Sequence, residues 1–170
     1  MARPGCRWPV EMGFVCVVVL ALLATSCEGR QLASASKIGM TRSPDGTYSV
    51  LVFSCPTEVP LRAEIRDWST NAVIWAASPS GNGSTAGLNE LSLTGPPVNW
   101  RTDTPPADPR LPGAGRLAVN AVFPGDNQAL PIEADDVSGT QVSVATWSFS
   151  GASSVTRAEF VSENERRCAR

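Results

Sequence analysis

The chain has 170 residues, with 14 basic and 16 acidic side chains, a net charge of −2 and no histidine. That balance excludes the basic footprint of a nucleic-acid binder and a polybasic stripe for anionic lipid. The lack of histidine removes the usual general base, metal ligand and triad catalyst. No cofactor is implied: no G-x-S-x-G elbow occurs, and Gly81, Gly83 and Gly87 miss a dinucleotide fingerprint by one residue and have no βαβ setting.

Arg3 and Arg7 precede Gly13 to Ala24 (GFVCVVVLALLA), twelve residues without a charge. A bilayer-spanning helix needs about 20 apolar residues; twelve behind a basic start is the pattern of a secretory signal. Residues 1–26 therefore read as a cleaved signal peptide. The segment Ala24-Thr25-Ser26-Cys27 resembles the lipobox of bacterial lipoproteins, with Ala24 where that family most often has Leu. The resemblance covers the first 27 residues only. It implies a diacylglyceryl group on the Cys27 thiol, cleavage before that residue, and a protein held at the outer face of the membrane. The same bond, with Ala24 and Ser26 as its small residues, also suits an ordinary signal peptidase, which would release a secreted protein.

Of the five cysteines, Cys6 and Cys16 fall in the removed segment, which leaves Cys27, Cys55 and Cys168. An odd number in an exported chain asks for an explanation. Lipid on Cys27 supplies one and leaves Cys55 and Cys168 to pair with each other. The 144 residues from Cys27 onward are the size of one domain and carry 12 basic against 15 acidic residues. Lys37 is the sole lysine, and the bias to Arg, Ala, Gly and Pro is similar to that of GC-rich bacteria such as actinobacteria.

Residues 27–36 read as the lipid attachment site and a small, polar, flexible tether. From Lys37 to Arg170 short runs of period two alternate with turn residues. A strand at about 37–42 meets Ser43-Pro44-Asp45-Gly46, a strong turn signal. Tyr48 to Cys55 (YSVLVFSC) is apolar on both faces and belongs in the middle of a sandwich. In Val59 to Trp68, Val59, Leu61, Ala63 and Ile65 alternate with a charged face. Ala72 to Ala77 is a fourth strand, 78–87 a Gly/Ser loop, and about 89–95 a fifth strand. Pro96 to Gly113 holds six prolines and reads as an extended surface loop. Leu117 to Phe123 is a sixth strand, Ala129 to Gly139 an acidic loop with room for a short edge strand, and Gln141 to Phe149 a last strand with a bulge expected near Ala145. Thr156 with Glu159 matches a capping box and Glu163 with Arg167 a helical i,i+4 pair. Ala158 to Val161 serves equally as an edge strand, and the β surroundings favour that choice.

The fold class is all-β: a single antiparallel immunoglobulin-like β-sandwich of about seven strands over residues 37–170. The Cys-Trp-Cys pattern of true immunoglobulin domains is missing. Cys168 lies near the end of the chain, so a Cys55–Cys168 bridge would staple the C-terminal segment to the end of a core strand.

Candidate chemistry is sparse. Two acidic groups, Glu64 with Asp67 and Glu133 with Asp135 and Asp136, are the candidates for carboxylate catalysis. Glu64 and Asp67 are interleaved with Arg62 and Arg66, as on a solvated ion-pair surface. Glu133, Asp135 and Asp136 are candidate calcium ligands, weighed against a plain solvated loop. Trp100 beside Arg101 has the composition of a recognition anchor, with a ring folded over the core edge as the alternative. Asn82-Gly83-Ser84 is a glycosylation sequon, relevant in a eukaryotic secretory pathway. The expected function is non-catalytic: a membrane-tethered binding, adaptor or envelope-structural module. Loops 78–87 and 96–113 would supply specificity toward an envelope protein or glycan. The alternative is a secreted, carbohydrate-active hydrolase using carboxylates.

Overall fold

The computed structural model describes residues 36–81, 85–145 and 152–170. Among them the strands are β1 Ile38–Arg42, β2 Tyr48–Ser54, β3 Arg62–Asp67, β4 Val73–Pro79, β5 Gly87–Ser92, β6 Trp100–Thr104, β7 Arg116–Phe123, β8 Asp126–Glu133, β9 Val142–Ala145 and β10 Ala152–Val155. One helix follows, α1, Arg157–Cys168. The strands form two antiparallel five-stranded sheets, in the orders β10-β9-β1-β2-β5 and β6-β4-β3-β7-β8. The run β1-β2-β5 facing β4-β3-β7-β8 is the strand order of an immunoglobulin-like sandwich. The strand β6 extends one sheet beyond β4, and β9 and β10 extend the other beyond β1.

Period-two patterning fills the space between the sheets. Ile38 and Met40, Tyr48, Val50 and Val52, and Leu91 point inward from one sheet. Ala63 and Ile65, Trp75, and Leu117, Val119, Ala121 and Phe123 meet them from the other. Tyr48 also spans the sandwich: its hydroxyl donates to the Ala134 carbonyl at 2.8 Å. All seven residues of β2 are buried, because α1 covers the opposite face of its sheet. Leu51 and Phe53 on β2, Val142 and Val144 on β9, Val155 and Phe160 form a second core beneath the helix. Burying a side chain such as Phe160 contributes about 1.5–3 kcal/mol.

The helix begins where the capping box places it. Thr156 Oγ1 accepts the Glu159 amide N–H at 3.2 Å, and the Glu159 carboxylate accepts the Thr156 N–H at 2.8 Å. This corrects the expectation of an edge strand at 158–161. Two donors that a helix start would leave unsatisfied are bonded reciprocally here, and only the four preceding residues join the sheet, as β10. Arg166 pairs with Glu163 at i,i+3.

Among the described residues ten strands stand in place of about seven, for identifiable reasons. In 96–113 the prolines flank the five-residue run Trp100–Thr104, which is free to pair with β4. The first five residues of the stretch expected as an acidic loop belong to the eight-residue β8, Asp126–Glu133, with Leu130 and Ile132 inward. Its Pro131 is tolerated because β8 is an edge strand with one neighbour. Val59 and Leu61, expected inside, are 57% and 53% exposed, since β3 begins only at Arg62. Ser36, expected in the tether, is buried, and its carbonyl accepts the Asn164 amide at 3.1 Å. The bulge expected near Ala145, along with Trp147, Phe149 and the Asn82 sequon, lies at or outside the edge of the described residues. Among the described residues no helix is long and apolar enough to cross a membrane.

Candidate functional site

Strand direction sorts the loops into two ends. The chain enters β1 beside the end of β2, since Ile38 pairs with Val52. Cys55 and the 56–61 segment follow at that end. The loop before β5 belongs there too, because Ser54 pairs with Gly87, as does the β7–β8 turn, because Arg62 pairs with Val122. Helix α1 runs back to the same end, where Cys168 is disulfide-bonded to Cys55 with Cα atoms 5.3 Å apart. This near end therefore holds the chain entry and the staple. The far end holds the turns at 43–47 and 68–72, the 105–115 loop and residues 134–141.

At the near end Lys37 is buried with a side chain 4% exposed. Its Nζ lies 2.7 Å from Glu58 Oε1 and 3.4 Å from Asp126 Oδ2, and 4.6 Å from the centre of the Phe123 ring. Nothing in the spacing of these residues announces the cluster; the one available signal was that this chain keeps a single lysine.

At the far end, Asp67 Oδ1 accepts the Thr70 N–H at 2.7 Å and the Ser69 N–H at 2.9 Å, and both hydroxyls besides. The Ser69 hydroxyl, then the Thr70 amide and hydroxyl, hold the carboxyl at a pKa of about 2. That charge fixes the turn. Glu64 is buried between Arg62 and Arg66, and the Arg66 guanidinium is held above its ordinary pKa by the Glu64 carboxylate. Both members of the first acidic group thus have structural partners.

Glu133 closes β8 with its carboxylate 3.8 Å from Arg116, and Asp135 and Asp136 sit in a 3₁₀ turn, Ala134–Asp136. Among the described residues no group of three or more His, Cys, Asp or Glu is placed to hold a metal ion. The calcium expectation at Glu133, Asp135 and Asp136 gains no support from this placement. Glu133, Asp136 and Arg116 instead border a polar cleft of about 400 Å³ with Ser143 and Ser154.

Trp100 is 4% exposed, part of the core. Its indole N–H donates to Asn89 Oδ1 at 3.1 Å, while Asn89 Nδ2 donates to the Thr85 carbonyl at 2.6 Å. Only Arg101 of that pair reaches solvent, against Asp103. The exposed aromatic beside an arginine occurs at the far end instead: Trp68 is 49% exposed, with the Arg116 guanidinium 4.4 Å from its ring centre. Sequence placed Trp68 at a strand end, but Arg116 reaches it only through the β3–β7 pairing. A shallow cleft of about 280 Å³ lies at the same end, lined by Ile74, Leu111, Pro112 and Asp108 among others.

The fold and these ends define a class: an immunoglobulin-like β-sandwich stapled by a disulfide to a C-terminal helix. In comparisons with protein-family models, curated proteins and solved structures, nothing matches this chain.

Proposed function

We propose that this protein is an exported binding or adaptor module. Lipid on Cys27 tethers it to the outer face of a membrane, and the far end of the sandwich meets a protein or glycan of the envelope. The observation that supports this most is the shared location of chain entry and disulfide at the near end. The eight residues between Cys27 and Ser36 reach at most about 30 Å when extended, so the near end stays close to the bilayer. The far end then projects outward, with Trp68 stacked against Arg116 and the 105–115 loop beside it. Aromatic and arginine side chains are the usual anchors of recognition surfaces, and loops carried on rigid sheets are the usual place for them. The end of β4 and the start of β5 face the membrane in this arrangement, which leaves the recognition role to 105–115. The hydrolase alternative draws no support from Glu64 and Asp67, whose carboxylates are already engaged by Arg62, Arg66 and the 68–71 turn.

A photo-crosslinking side chain placed at Trp68 or Asp108, and separately at Val59, tests this in cells. Capture of a discrete envelope partner from the first two positions and not from Val59 supports the reading. Capture only from Val59 contradicts it.

A further inference from the structure

Lys37 is the only lysine in the chain, and the fold buries it against two carboxylates from distant places in the sequence. Glu58 comes from the segment after β2, and Asp126 is the first residue of β8. One ammonium needs one counter-ion, so the second carboxylate is in excess. The two acids are held differently. Glu58, the nearer at 2.7 Å, is part-exposed and its other oxygen accepts the Cys55 amide N–H at 3.4 Å. Asp126 is gripped by Gln128, whose Nε2 donates to both carboxylate oxygens at 3.1 and 3.0 Å. A donor fixed against both oxygens is suited to polarising that carboxyl and to stabilising an oxyanion formed on it. The Phe123 ring covers the amine.

We propose that Lys37 and Asp126 condense into an intramolecular amide, with Glu58 as the proton relay. Glu58 takes one proton from the Lys37 ammonium and passes it to an Asp126 oxygen, leaving a free amine and a carboxylic acid. Nζ attacks Cγ of Asp126, and Gln128 steadies the negative charge on the remaining oxygen. Glu58 then moves a second proton from nitrogen to the departing hydroxyl. The N–C bond forms, the C–O bond breaks, one water leaves, and nothing is oxidised or reduced. Water has a way out, because the Asp126 side chain is 41% exposed. Holding the reactants in contact makes an otherwise slow condensation effectively unimolecular, with effective molarities of about 10⁵–10⁸ M in favourable cases. The product joins the entry of β1 to β8 in the other sheet. A pull on an N-terminal anchor would then load a covalent link and no longer peel β1 from β2.

The test is tryptic mass spectrometry of the full-length exported protein after denaturation and reduction. The expected result is no cleavage after Lys37 and a branched peptide joining the Lys37 and Asp126 segments, lighter by one water than its two parts. Glu58→Gln is expected to give ordinary linear peptides and cleavage after Lys37, with the wild-type circular dichroism spectrum. Linear peptides alone from the folded wild-type protein would overturn the proposal, and so would a branch at Glu58. A branched peptide that persists in Glu58→Gln would remove the relay role. If that variant does not fold, the wild-type peptide and its loss in Asp126→Ala decide the question.

Discussion

Cys168, the last residue of α1, is bonded to Cys55, which directly follows β2. The helix lies between this staple and its capping box, over the side chains of Leu51, Phe53 and Val155. At its other end Arg157 meets Glu90 of β5 at 2.7 Å.

Breaking the staple should loosen the helix before the sandwich. The sequence separation is 113 residues, for which the chain-entropy model gives about 4–5 kcal/mol, with measured values usually smaller. Cys55→Ser with Cys168→Ser is expected to lower stability to denaturant by an amount of that order. It should also increase binding of a hydrophobic dye as the second core opens. Unchanged stability and no dye binding would show that α1 docks without the bond.

Gly39 sits on the helix side of β1. A Cβ there would collide with Val142 and lie 3.2 Å from the Ser143 carbonyl and 3.6 Å from the Phe160 ring. Overpacking of this kind costs about 1–3 kcal/mol. Gly39→Ala is expected to lose that much in urea denaturation, and Val142→Ala in the same chain should recover part of it. Independent, additive losses would contradict the contact.

Asn89 is buried, and among its partners its side chain accepts from the Trp100 indole and donates to the Thr85 carbonyl. Asn89→Ala strands both, at a cost of about 1–3 kcal/mol for each buried group left unsatisfied. The loss should shrink in a Trp100→Phe background, where no indole N–H remains. An identical loss in both backgrounds would mean that the bond to Trp100 contributes nothing.

Asp67 gives a pH dependence with a definite sign. Its folded pKa of about 2 lies below the ordinary 3.8, so its contribution is complete above the ordinary value and disappears as pH falls through about 2. A carboxyl titration by NMR is expected to show that low midpoint, with the Ser69 and Thr70 amides following it. Asp67→Asn should abolish the titration and speed amide exchange in the turn. A midpoint at the ordinary value would mean that the turn is not held by this charge.

The alternation in β3 and β7 was readable from sequence because residues two apart share one core face, and β2 was readable as a continuous apolar run because both of its faces are buried. The same rule failed at Val59 and Leu61, where the pattern continues past the point at which pairing begins. It missed β6 because prolines around a strand look like a proline-rich loop, and it allowed no more than a short edge strand where β8 runs because Pro131 and the acids masked Leu130 and Ile132. The C-terminal helix was decided by a local capping box that its β neighbourhood had outweighed. Cys55 and Cys168 were legible by parity. Trp68 with Arg116, and Lys37 with Glu58 and Asp126, were not, because each grouping exists only once the strands have paired.

On the proposed reading the near end of the sandwich is the anchored end. The most direct test of that reading is the mass of the N-terminal peptide from membrane-fraction protein, compared with a Cys27→Ala variant. The expected peptide begins at Cys27, carries a diacylglyceryl group, and is lost in the variant together with membrane association. A peptide that begins at Cys27 unmodified, from protein found free of the membrane, would contradict it.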